Sequence, residues 1–433
     1  MRYIISNIQF NAKLNKNFMA NILRFAKEHK VDSLLTFVQN GSYKDEDVVD
    51  KDVFKAGFSL VEFQTLNKNL RLRDMKIPAQ QINPLTGMQS KLSRDYSVIM
   101  PSAKMRYLSV ANTSDKPHAL MTTGNMTKPN YKLHTAQGRK AFEQHQYGFV
   151  FVEVKNGRLF TTYQVEATKN GDFYYKDERY VKGKKQKAQP EALVLGDIHL
   201  GDTNPKAYKH SKAMITELKP KRVVLHDLFN GHSINPHERG HLLADLQNLK
   251  RKRDCLEYEL RDVYKEVVRL SEMFPKVQFL VSESNHDIFL QRYIDDKLFV
   301  DQPQNFLLAV QMIPEILKDK KPTLQIGLEQ FGEIPSNFTF EREDVEHRVR
   351  GVELAYHGHR GINGSRGSSA SFDRFNLRMI TAHEHSPKLY ANGMVVGTLT
   401  HLKLPYTKGA GGWMHANGIL YADGKYGLIP FAF

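Results

Sequence analysis

The spacing of apolar residues along the chain changes in character near residue 190. Before that point, short apolar runs and one helical spacing predict strands and a helix, and the Asn156-Gly157 pair is typical of a hairpin turn. Residues 60–145 mix short apolar runs with proline, glycine and asparagine, so we expect an α+β arrangement here. The elements predicted in this part are strands over 3–8, 33–38, 149–154 and 159–165 and a helix over 18–29.

After residue 190, short apolar runs alternate with helical spacing, which is typical of α/β folds. A final apolar pair of runs turns at Asp423-Gly424 and predicts a hairpin over 419–431. The other elements predicted here are strands over 192–196, 222–227, 277–284, 352–358, 378–385 and 394–400, a helix over 208–218 and a long charged helix over 240–273.

The segment that separates the two patterns reads VKGKKQKAQP and spans 181–190. It is rich in lysine, lacks apolar periodicity and ends in proline, so it is predicted to be an exposed basic linker. We therefore expect an N-terminal α+β domain over 1–180 and an α/β domain over 191–433. The length of 433 residues agrees with two domains, because single cores stop growing at about 250–300 residues.

Cysteine content and hydropathy narrow the class of protein. Cys255 is the single cysteine, so the chain forms no internal disulfide, which favours a reducing compartment. No apolar stretch approaches the ~20 residues that span a bilayer, and the first residues lack the apolar region of a signal peptide. We therefore expect a soluble cytoplasmic protein with no membrane partner.

The net charge of +15 is unevenly distributed along the chain. Residues 1–190 hold 31 Lys and Arg against 17 Asp and Glu, whereas residues 191–433 hold 31 against 30. Histidines are distributed the other way, with 4 before residue 191 and 14 after it. Excess positive charge attracts polyanions through phosphate neutralisation and counter-ion release, although it also serves solubility alone. The charge modestly favours a nucleic-acid partner for the N-terminal part.

Five polar clusters follow the ends of predicted strands, where α/β sheets place their ligand sites. Each is weak by itself, because D-x-H and H-x-H arise by chance and a lone histidine is more often structural. In an extended segment, both patterns place two side chains on the same side. Mixed carboxylate, imidazole and amide ligands suit Mn²⁺, Fe or Zn²⁺ better than Mg²⁺ or Ca²⁺. The clusters are Gly196–His199, His226–Asn230, Ser284–Asp287, His357–His359 and His383–His385.

In this order, the clusters resemble the D-x-H, GD, GNH, GH and GH-x-H motifs of calcineurin-like metallophosphoesterases. The chain departs from the family at His226 and at Ser284, where the family usually has glycine. The resemblance implies a calcineurin-like sandwich of mixed β-sheets flanked by helices over 191–433.

A closer resemblance, over nearly the whole chain, is to tailed-phage metallophosphoesterases described as DNA exonucleases. Asp-Leu-Phe at 227–229, followed by Pro236, also resembles SbcD-type repair nucleases. The stretches that carry the phage resemblance are PLTGMQS (84–90), LMTTGNMTKPNY (120–131), LGDIHLGDTNP (195–205), HDLFNGHSINPHE (226–238), HGHRGINGSRGS (357–368) and GTLTHLKLPYTKGAGGW (397–413).

The family resemblance implies two divalent metal ions, with Mn²⁺ as the first expectation and Fe or Zn²⁺ as alternatives. A carboxylate shared by both ions can hold them ~3.5–4 Å apart, the spacing that serves in-line phosphoryl displacement. His286 is then an adjacent non-ligand, expected to orient the phosphate or to protonate the leaving alkoxide. The implied ligands are Asp197, His199, Asp227 and His385 for the first ion, and Asp227, Asn285, His357 and His383 for the second.

Three further residues are candidates for contacting substrate. His237 follows the bridging aspartate and could line a cleft, but a plain loop is an equal alternative. Arg360 and Arg366 lie in a glycine-rich stretch where guanidinium groups and backbone amides could grip phosphate oxygens, or where the chain is a surface loop. The basic run LKRKRD at 249–254 is predicted to be a solvated helix face.

The leading interpretation is a two-metal phosphodiesterase that hydrolyses DNA, a phage-encoded nuclease acting in the host cytoplasm in DNA degradation or processing. A phosphatase or phosphodiesterase for nucleotides or phosphoproteins would use the same metal centre. A third interpretation is a nucleic-acid-binding phage protein whose metal centre is catalytically silent. The sequence leaves open exonuclease against endonuclease action, strand preference and oligomeric state.

Overall fold

A computed structural model describes residues 1–39, 48–78, 81–92, 94–113, 116–236, 241–372, 377–404 and 407–433. Its strands form three sheets of eight, six and ten strands, which are flanked by helices. The expected α/β class with mixed sheets is therefore confirmed, whereas the calcineurin-like sandwich stays a prediction. Over the described residues, no helix combines the length and apolar character that crossing a membrane requires.

The strands before residue 190 supply all of the eight-stranded sheet and half of the ten-stranded sheet. They are β1 (Arg2–Gln9), β2 (Ser33–Gln39), β3 (Phe58–Leu60), β4 (Phe63–Asn67), β5 (Leu70–Arg73), β6 (Ser97–Met100), β7 (Tyr107–Val110), β8 (His118–Thr122), β9 (Tyr147–Val154), β10 (Phe160–Ala167), β11 (Phe173–Tyr175), β12 (Glu178–Val181) and β13 (Lys184–Lys187).

The later strands supply the six-stranded sheet and the other half of the ten-stranded sheet. They are β14 (Ala192–Val194), β15 (Arg222–Leu225), β16 (Gln278–Ser282), β17 (Phe338–Glu341), β18 (Arg348–Val349), β19 (Val352–Glu353), β20 (Met379–Thr381), β21 (Lys388–Leu389), β22 (Gly393–Val395), β23 (Ala416–Leu420) and β24 (Tyr426–Pro430).

Helices connect and cover the sheets. Two 3-10 helices, His232–Ile234 and Ile362–Gly364, lie in loops. The α-helices are α1 (Lys16–Glu28), α2 (Asp52–Lys55), α3 (Met88–Lys91), α4 (Ala136–Glu143), α5 (Pro205–Leu218), α6 (Leu242–Lys250), α7 (Leu256–Met273), α8 (Asn285–Asp295), α9 (Pro303–Ile316), α10 (Thr323–Glu329) and α11 (Ser369–Phe372).

The six-stranded sheet is buried on both faces. On β15, Val223 packs in one apolar cluster with residues of α5 and α7, while Val224 packs in a second cluster. That second cluster also contains Ile380 and Met394 of the ten-stranded sheet. Because side chains alternate along a strand, helices cover one face and the ten-stranded sheet covers the other. The order of the six-stranded sheet is β17-β16-β15-β14-β23-β24, with β14 to β17 parallel.

The ten-stranded sheet joins the two halves of the sequence. Its order is β18-β19-β20-β22-β21-β7-β8-β6-β5-β4. The junction is an antiparallel pair between β21 and β7, in which Leu389 lies opposite Tyr107. The predicted domains over 1–180 and 191–433 therefore share a sheet. A shared sheet does not tell whether either part folds alone, so the domain boundaries stay a prediction.

The segment 181–190 differs from the irregular linker that its composition predicts. Lys184–Lys187 forms the edge strand β13 and pairs with β12 through a turn at Lys182 and Gly183, both with positive φ. Two-residue hairpin turns favour that backbone conformation. The lysines are exposed as expected, and exposed lysines protect a sheet edge from pairing with other chains.

The long helix predicted over 240–273 is instead two helices, α6 and α7. The chain breaks between them because Lys252 has a φ of 56° and Arg253 turns inward, with its guanidinium 2.8 Å from Asp202 Oδ1. The predicted solvated helix face at 249–254 is therefore wrong for Arg253. Residue 240 lies outside the described residues.

Candidate metal centre

Strand ends bring the five polar clusters together. Asp197 follows β14, Asp227 follows β15 and Asn285 follows β16, which are adjacent parallel strands of the six-stranded sheet. His357 follows β19 and His383 follows β20, which are parallel neighbours in the ten-stranded sheet. Since the two sheets pack face to face through one apolar cluster, the clusters meet at the same end of both.

The four residues implied for the first metal position are in mutual contact. His199 Nε2 lies 3.2 Å from Asp227 Oδ2 and 3.1 Å from His385 Nε2. His385 Nε2 also lies 3.2 Å from Asp197 Oδ2. The two imidazoles and two carboxylates therefore converge on one small volume.

The four residues implied for the second position are also linked by short contacts. His357 Nε2 lies 3.2 Å from Asp227 Oδ2 and 3.1 Å from Asn285 Oδ1. Asn285 Oδ1 in turn lies 3.0 Å from His383 Nδ1. Asp227 Oδ2 is thus 3.2 Å from an imidazole of each group, which is the central place expected for a shared carboxylate.

Two sets of three side chains have ligand atoms close enough to hold a metal ion. They are His199, Asp227 and His286, and Asp197, Asp227 and His357, with ligand atoms within 4.8 Å of one another in each set. These clusters could hold metal ions. His286 belongs to the first set, and Asp197 lies with His357, so the division between ligands and catalytic group stays a prediction.

Burial sets the protonation of the imidazoles. It lowers the pKa of His226 and of His286 to about 4, and it lowers the pKa of His357 and His385 well below the ordinary value. These rings are therefore neutral near pH 7, and a neutral imidazole offers a nitrogen lone pair to a metal. The facing Nε2 atoms of His199 and His385 fit a cation, which could accept both lone pairs.

The two buried aspartates have opposite shifts. Burial, together with the charge of Asp227, raises the pKa of Asp197 well above its usual range. Burial also acts to raise the pKa of Asp227, but the neighbouring imidazoles of His357 and His199 hold it well below the usual range. Buried charge is costly without compensation, so a pair of enclosed carboxylates also fits a cation.

The backbone is strained at this centre. Positive φ angles occur at His199 (46°), Asp227 (45°), His383 (70°) and His385 (57°). Residues other than glycine rarely adopt such angles, and strain of this kind concentrates at functional sites. All four residues belong to the implied ligand set. The turns after the strands therefore direct these side chains towards the centre and hold the backbone in an unfavourable conformation.

The departures from the family at Ser284 and His226 have structural roles. Ser284 caps α8, because its hydroxyl accepts the Asp287 N–H at 3.3 Å while Asp287 Oδ2 accepts the Ser284 N–H at 2.9 Å. This reciprocal pair fixes the start of the helix and so the position of Asn285. The buried His226 places its Nδ1 3.4 Å from Nδ1 of His357.

Two of the three residues predicted to contact substrate, Arg360 and Arg366, lie within the described residues. Arg360 is exposed, and its Nε lies 3.1 Å from Glu343 Oε2. Its backbone pairs with that of Arg366 across a short turn. Arg360 also lines a cavity of about 790 Å³ together with several carboxylates. His237 lies outside the described residues, and a role for all three in substrate binding stays a prediction.

One polar network beside the centre was not predicted. Asn230 Nδ2 donates to Asp202 Oδ2 at 3.0 Å and contacts His232 Nε2 at 2.7 Å. Arg253 donates to Asp202 Oδ1 at 2.8 Å. The sequence held two hints, namely Asn230 in the predicted cluster His226–Asn230 and the repeated Gly-Asp pair, at 196–197 and again at 201–202.

Comparison with known proteins finds a phage protein that is similar to this chain over nearly its whole length. No known family model matches the chain, and no solved structure matches it. The chain is similar to "Protein A1" of Escherichia phage T5, with 26% identity over an alignment 469 residues long. The alignment covers 99% of this chain and 82% of that protein. The similarity extends over both halves of the sequence and suggests a phage origin.

Proposed function

We propose that this protein is a two-metal phosphodiesterase of the calcineurin-like type that hydrolyses DNA. The observation that carries the proposal is the position of Asp227 Oδ2, 3.2 Å from His199 Nε2 on one side and from His357 Nε2 on the other. A carboxylate between two sets of imidazoles is the arrangement that two neighbouring cations require.

The metal ions would be held by Asp197, His199, Asp227 and His385 at one position and by Asp227, Asn285, His357 and His383 at the other. The donor set suits Mn²⁺, Fe or Zn²⁺, and Mn²⁺ is the ion that we propose first. Bound there, two cations supply charge stabilisation for the phosphate and a water of lowered pKa.

His286 is the proposed proton donor to the leaving oxygen. Its Nδ1–H donates to the Asn230 carbonyl at 2.6 Å, so Nε2 is the nitrogen left for chemistry. Burial keeps the ring neutral in the free protein. An anionic phosphodiester beside it favours the imidazolium, because an opposite charge raises a histidine pKa. Nε2 then holds the proton that the leaving oxygen takes.

DNA as the substrate is supported by the positive charge of residues 1–190 and by the similarity to a phage protein over the whole chain. Polyanions neutralise such surfaces with release of counter-ions. The proposed setting is the host-cell cytoplasm, in degradation or processing of DNA.

The experiment that tests this function incubates the full-length protein with end-labelled linear DNA and with circular DNA, in Mn²⁺, in Mg²⁺ and in chelator. We expect Mn²⁺-dependent cleavage that chelator abolishes and that the Asp227→Asn variant lacks. Products of one nucleotide from linear DNA alone would identify an exonuclease, and cut circles an endonuclease. Hydrolysis of nucleotides or phosphopeptides with DNA left intact would contradict the proposal and favour a phosphatase.

A further inference from the structure

Two neighbouring pockets are lined by Trp413 and by the adjacent Met414. Their volumes are about 260 Å³ and 270 Å³, and Pro117 and Leu402 line both, so the pockets share part of their walls. Trp413 lines the second pocket, and its ring lies 4.2 Å from the ring of the proposed ligand His385. We call the two pockets together the Trp413 channel.

The Trp413 channel is basic. Lys116 and Arg158 line its first pocket, and Lys403 and Lys408 line its second. No Asp or Glu is found among the described residues that line either pocket. The larger cavity beside Arg360 has the opposite character, because its walls include Glu283, Asp295, Asp319, Glu343 and Asp344. Of these two surfaces, the Trp413 channel is therefore the more favourable for a polyanion.

The walls of the Trp413 channel are attached to the metal centre by backbone hydrogen bonds. The Met414 N–H donates to the His385 carbonyl at 3.1 Å. Asn112 and Gly411 exchange two backbone hydrogen bonds, of 3.1 Å and 3.0 Å. The two halves of the chain thus build the channel jointly, at a fixed distance from the proposed ligands.

The first pocket combines apolar walls with an unsatisfied polar group. Phe160 and Phe431 are among its lining residues. His118 also lines it, is 3% exposed, and its Nδ1 has no hydrogen-bond partner within the described part of the chain. Aromatic side chains beside hydrogen-bonding groups suit a flat ring with hydrogen-bonding edges, such as a nucleobase.

We propose that the Trp413 channel binds a single-stranded segment of DNA next to the phosphate that is cleaved. This inference rests on the proposed function and names the path of its substrate. Bases stack on aromatic side chains while cations neutralise the backbone, which is how proteins hold single strands without regard to sequence. Trp413 supplies the ring nearest the metal centre, and the lysines and Arg158 supply the charge. Each pocket is too small for a duplex.

The chain's single tryptophan makes a direct test available. The full-length protein is titrated in chelator with a 12-nucleotide oligothymidylate while its tryptophan fluorescence is recorded. We expect saturable quenching, because a base stacks on Trp413. A titration that leaves the fluorescence unchanged while the oligonucleotide binds by anisotropy would overturn the proposal, because the strand would then lie elsewhere.

Charge variants locate the strand. Lys403→Gln with Lys408→Gln, and Lys116→Gln with Arg158→Gln, each remove two charges from the channel. We expect either pair to weaken binding about 10-fold at low salt and to reduce the log–log salt slope by roughly 1.4, since each phosphate contact on a single strand contributes roughly 0.7. The matched control is Lys321→Gln with Arg342→Gln in the acid-lined cavity. Equal weakening by the control pair would show that only net charge matters and would overturn the proposal.

Failure of the channel and failure of the proposed function give different results. Quenching and charge-dependent binding in chelator, without DNA cleavage in Mn²⁺, would support the channel and refute the phosphodiesterase. Hydrolysis of a small chromogenic phosphodiester without quenching by oligothymidylate would refute the channel and leave the metal chemistry in place.

Discussion

His286 donates its Nδ1 hydrogen to the carbonyl oxygen of Asn230 across 2.6 Å. The Asn230 side chain is itself held, because its Nδ2 donates to Asp202 Oδ2 at 3.0 Å. Asp202 accepts in turn from Arg253. The orientation of the proposed proton donor is therefore set by a chain of hydrogen bonds that begins in the break between α6 and α7.

Replacing His286 by alanine should lower the rate of DNA hydrolysis about 10²–10⁴-fold, the scale of a positioned acid–base group. Metal content should stay at two ions per chain, as measured by elemental analysis. The exposed His134→Ala variant is the control and should match the parent protein. Loss of an ion from the His286→Ala variant would make His286 a ligand, in keeping with its distance from His199 and Asp227.

Asp227→Asn should impair both metal positions at once, because it removes the charge of the carboxylate shared by the two groups. We expect fewer than one Mn²⁺ per chain after equilibrium dialysis, against two in the parent protein. Asp245→Asn, on the exposed face of α6, controls for loss of a negative charge. Two tightly bound ions in the Asp227→Asn variant would contradict the bridging role.

Asp202→Asn should misorient His286 without touching the metals, because Asn230 and Arg253 both lose a charged acceptor. A fall of about 10-fold in kcat with unchanged KM and unchanged metal content is the expected result, measured on a chromogenic phosphodiester. The acidic limb of the pH–rate profile should move as well, which a purely structural defect would not cause. An unchanged profile would assign Asp202 to folding alone.

His145 should make stability depend on pH. Its Nε2–H donates to the Thr127 carbonyl at 2.9 Å, and its Nδ1 accepts the Tyr131 hydroxyl at 3.0 Å, so the ring must be neutral. Burial lowers its pKa to about 4, against about 6.5 in an unfolded chain. The pKa of His145 is lower in the folded protein than in the unfolded chain. The stability that the neutral ring contributes is therefore present above pH 6.5 and is lost as the pH falls towards 4.

The measurement is urea denaturation in chelator at pH 7 and pH 4.5, for the parent protein and for His145→Gln. The variant should be less stable at pH 7, and the difference in unfolding free energy should shrink by up to about 3 kcal/mol at the lower pH. His134→Gln, which alters an exposed ring, should show a constant difference. A constant difference for His145→Gln would contradict the shift.

A fragment of residues 191–433 should not fold by itself. Removing residues 1–190 exposes the β21 edge that pairs with β7 and strips one apolar cluster of Tyr107, Ile5 and Val152. We expect the fragment to bind a hydrophobic dye and to lack a cooperative unfolding transition. Co-expression with residues 1–190 should abolish the dye binding and restore a cooperative unfolding transition. A cooperatively folded fragment would instead support the predicted division into two domains.

The local pattern of the sequence predicted about half of the strands among the described residues, but not their assembly. The strands β1, β9 and β15 follow from apolar runs of a few residues, and each lies where the pattern placed it. No local pattern in the sequence predicts the pairing of Leu389 with Tyr107, because the register between distant strands depends on packing across both sheets.

The candidate centre shows the same difference between what a local pattern predicts and what long-range contacts decide. The proposed ligand residues were implied by the family resemblance, and the place of each polar cluster after a strand agrees with it, because adjacent strand ends converge. Asp202 and Arg253 were missed because no local pattern in the sequence marks a contact between distant segments. The break in the predicted helix over 240–273 was missed for the same reason, since the contact that stabilises it is with a residue 51 positions away.

The order of the ten-stranded sheet has a consequence for the chain as it is being synthesised. β7 leaves the ribosome long before its partner β21, so one edge of a half-built sheet stays unpaired while some 280 further residues are translated. Exposed strand edges invite association with other chains. The nascent protein is therefore open to such association at this stage, and the proposed ligand set is complete only after His385 has emerged.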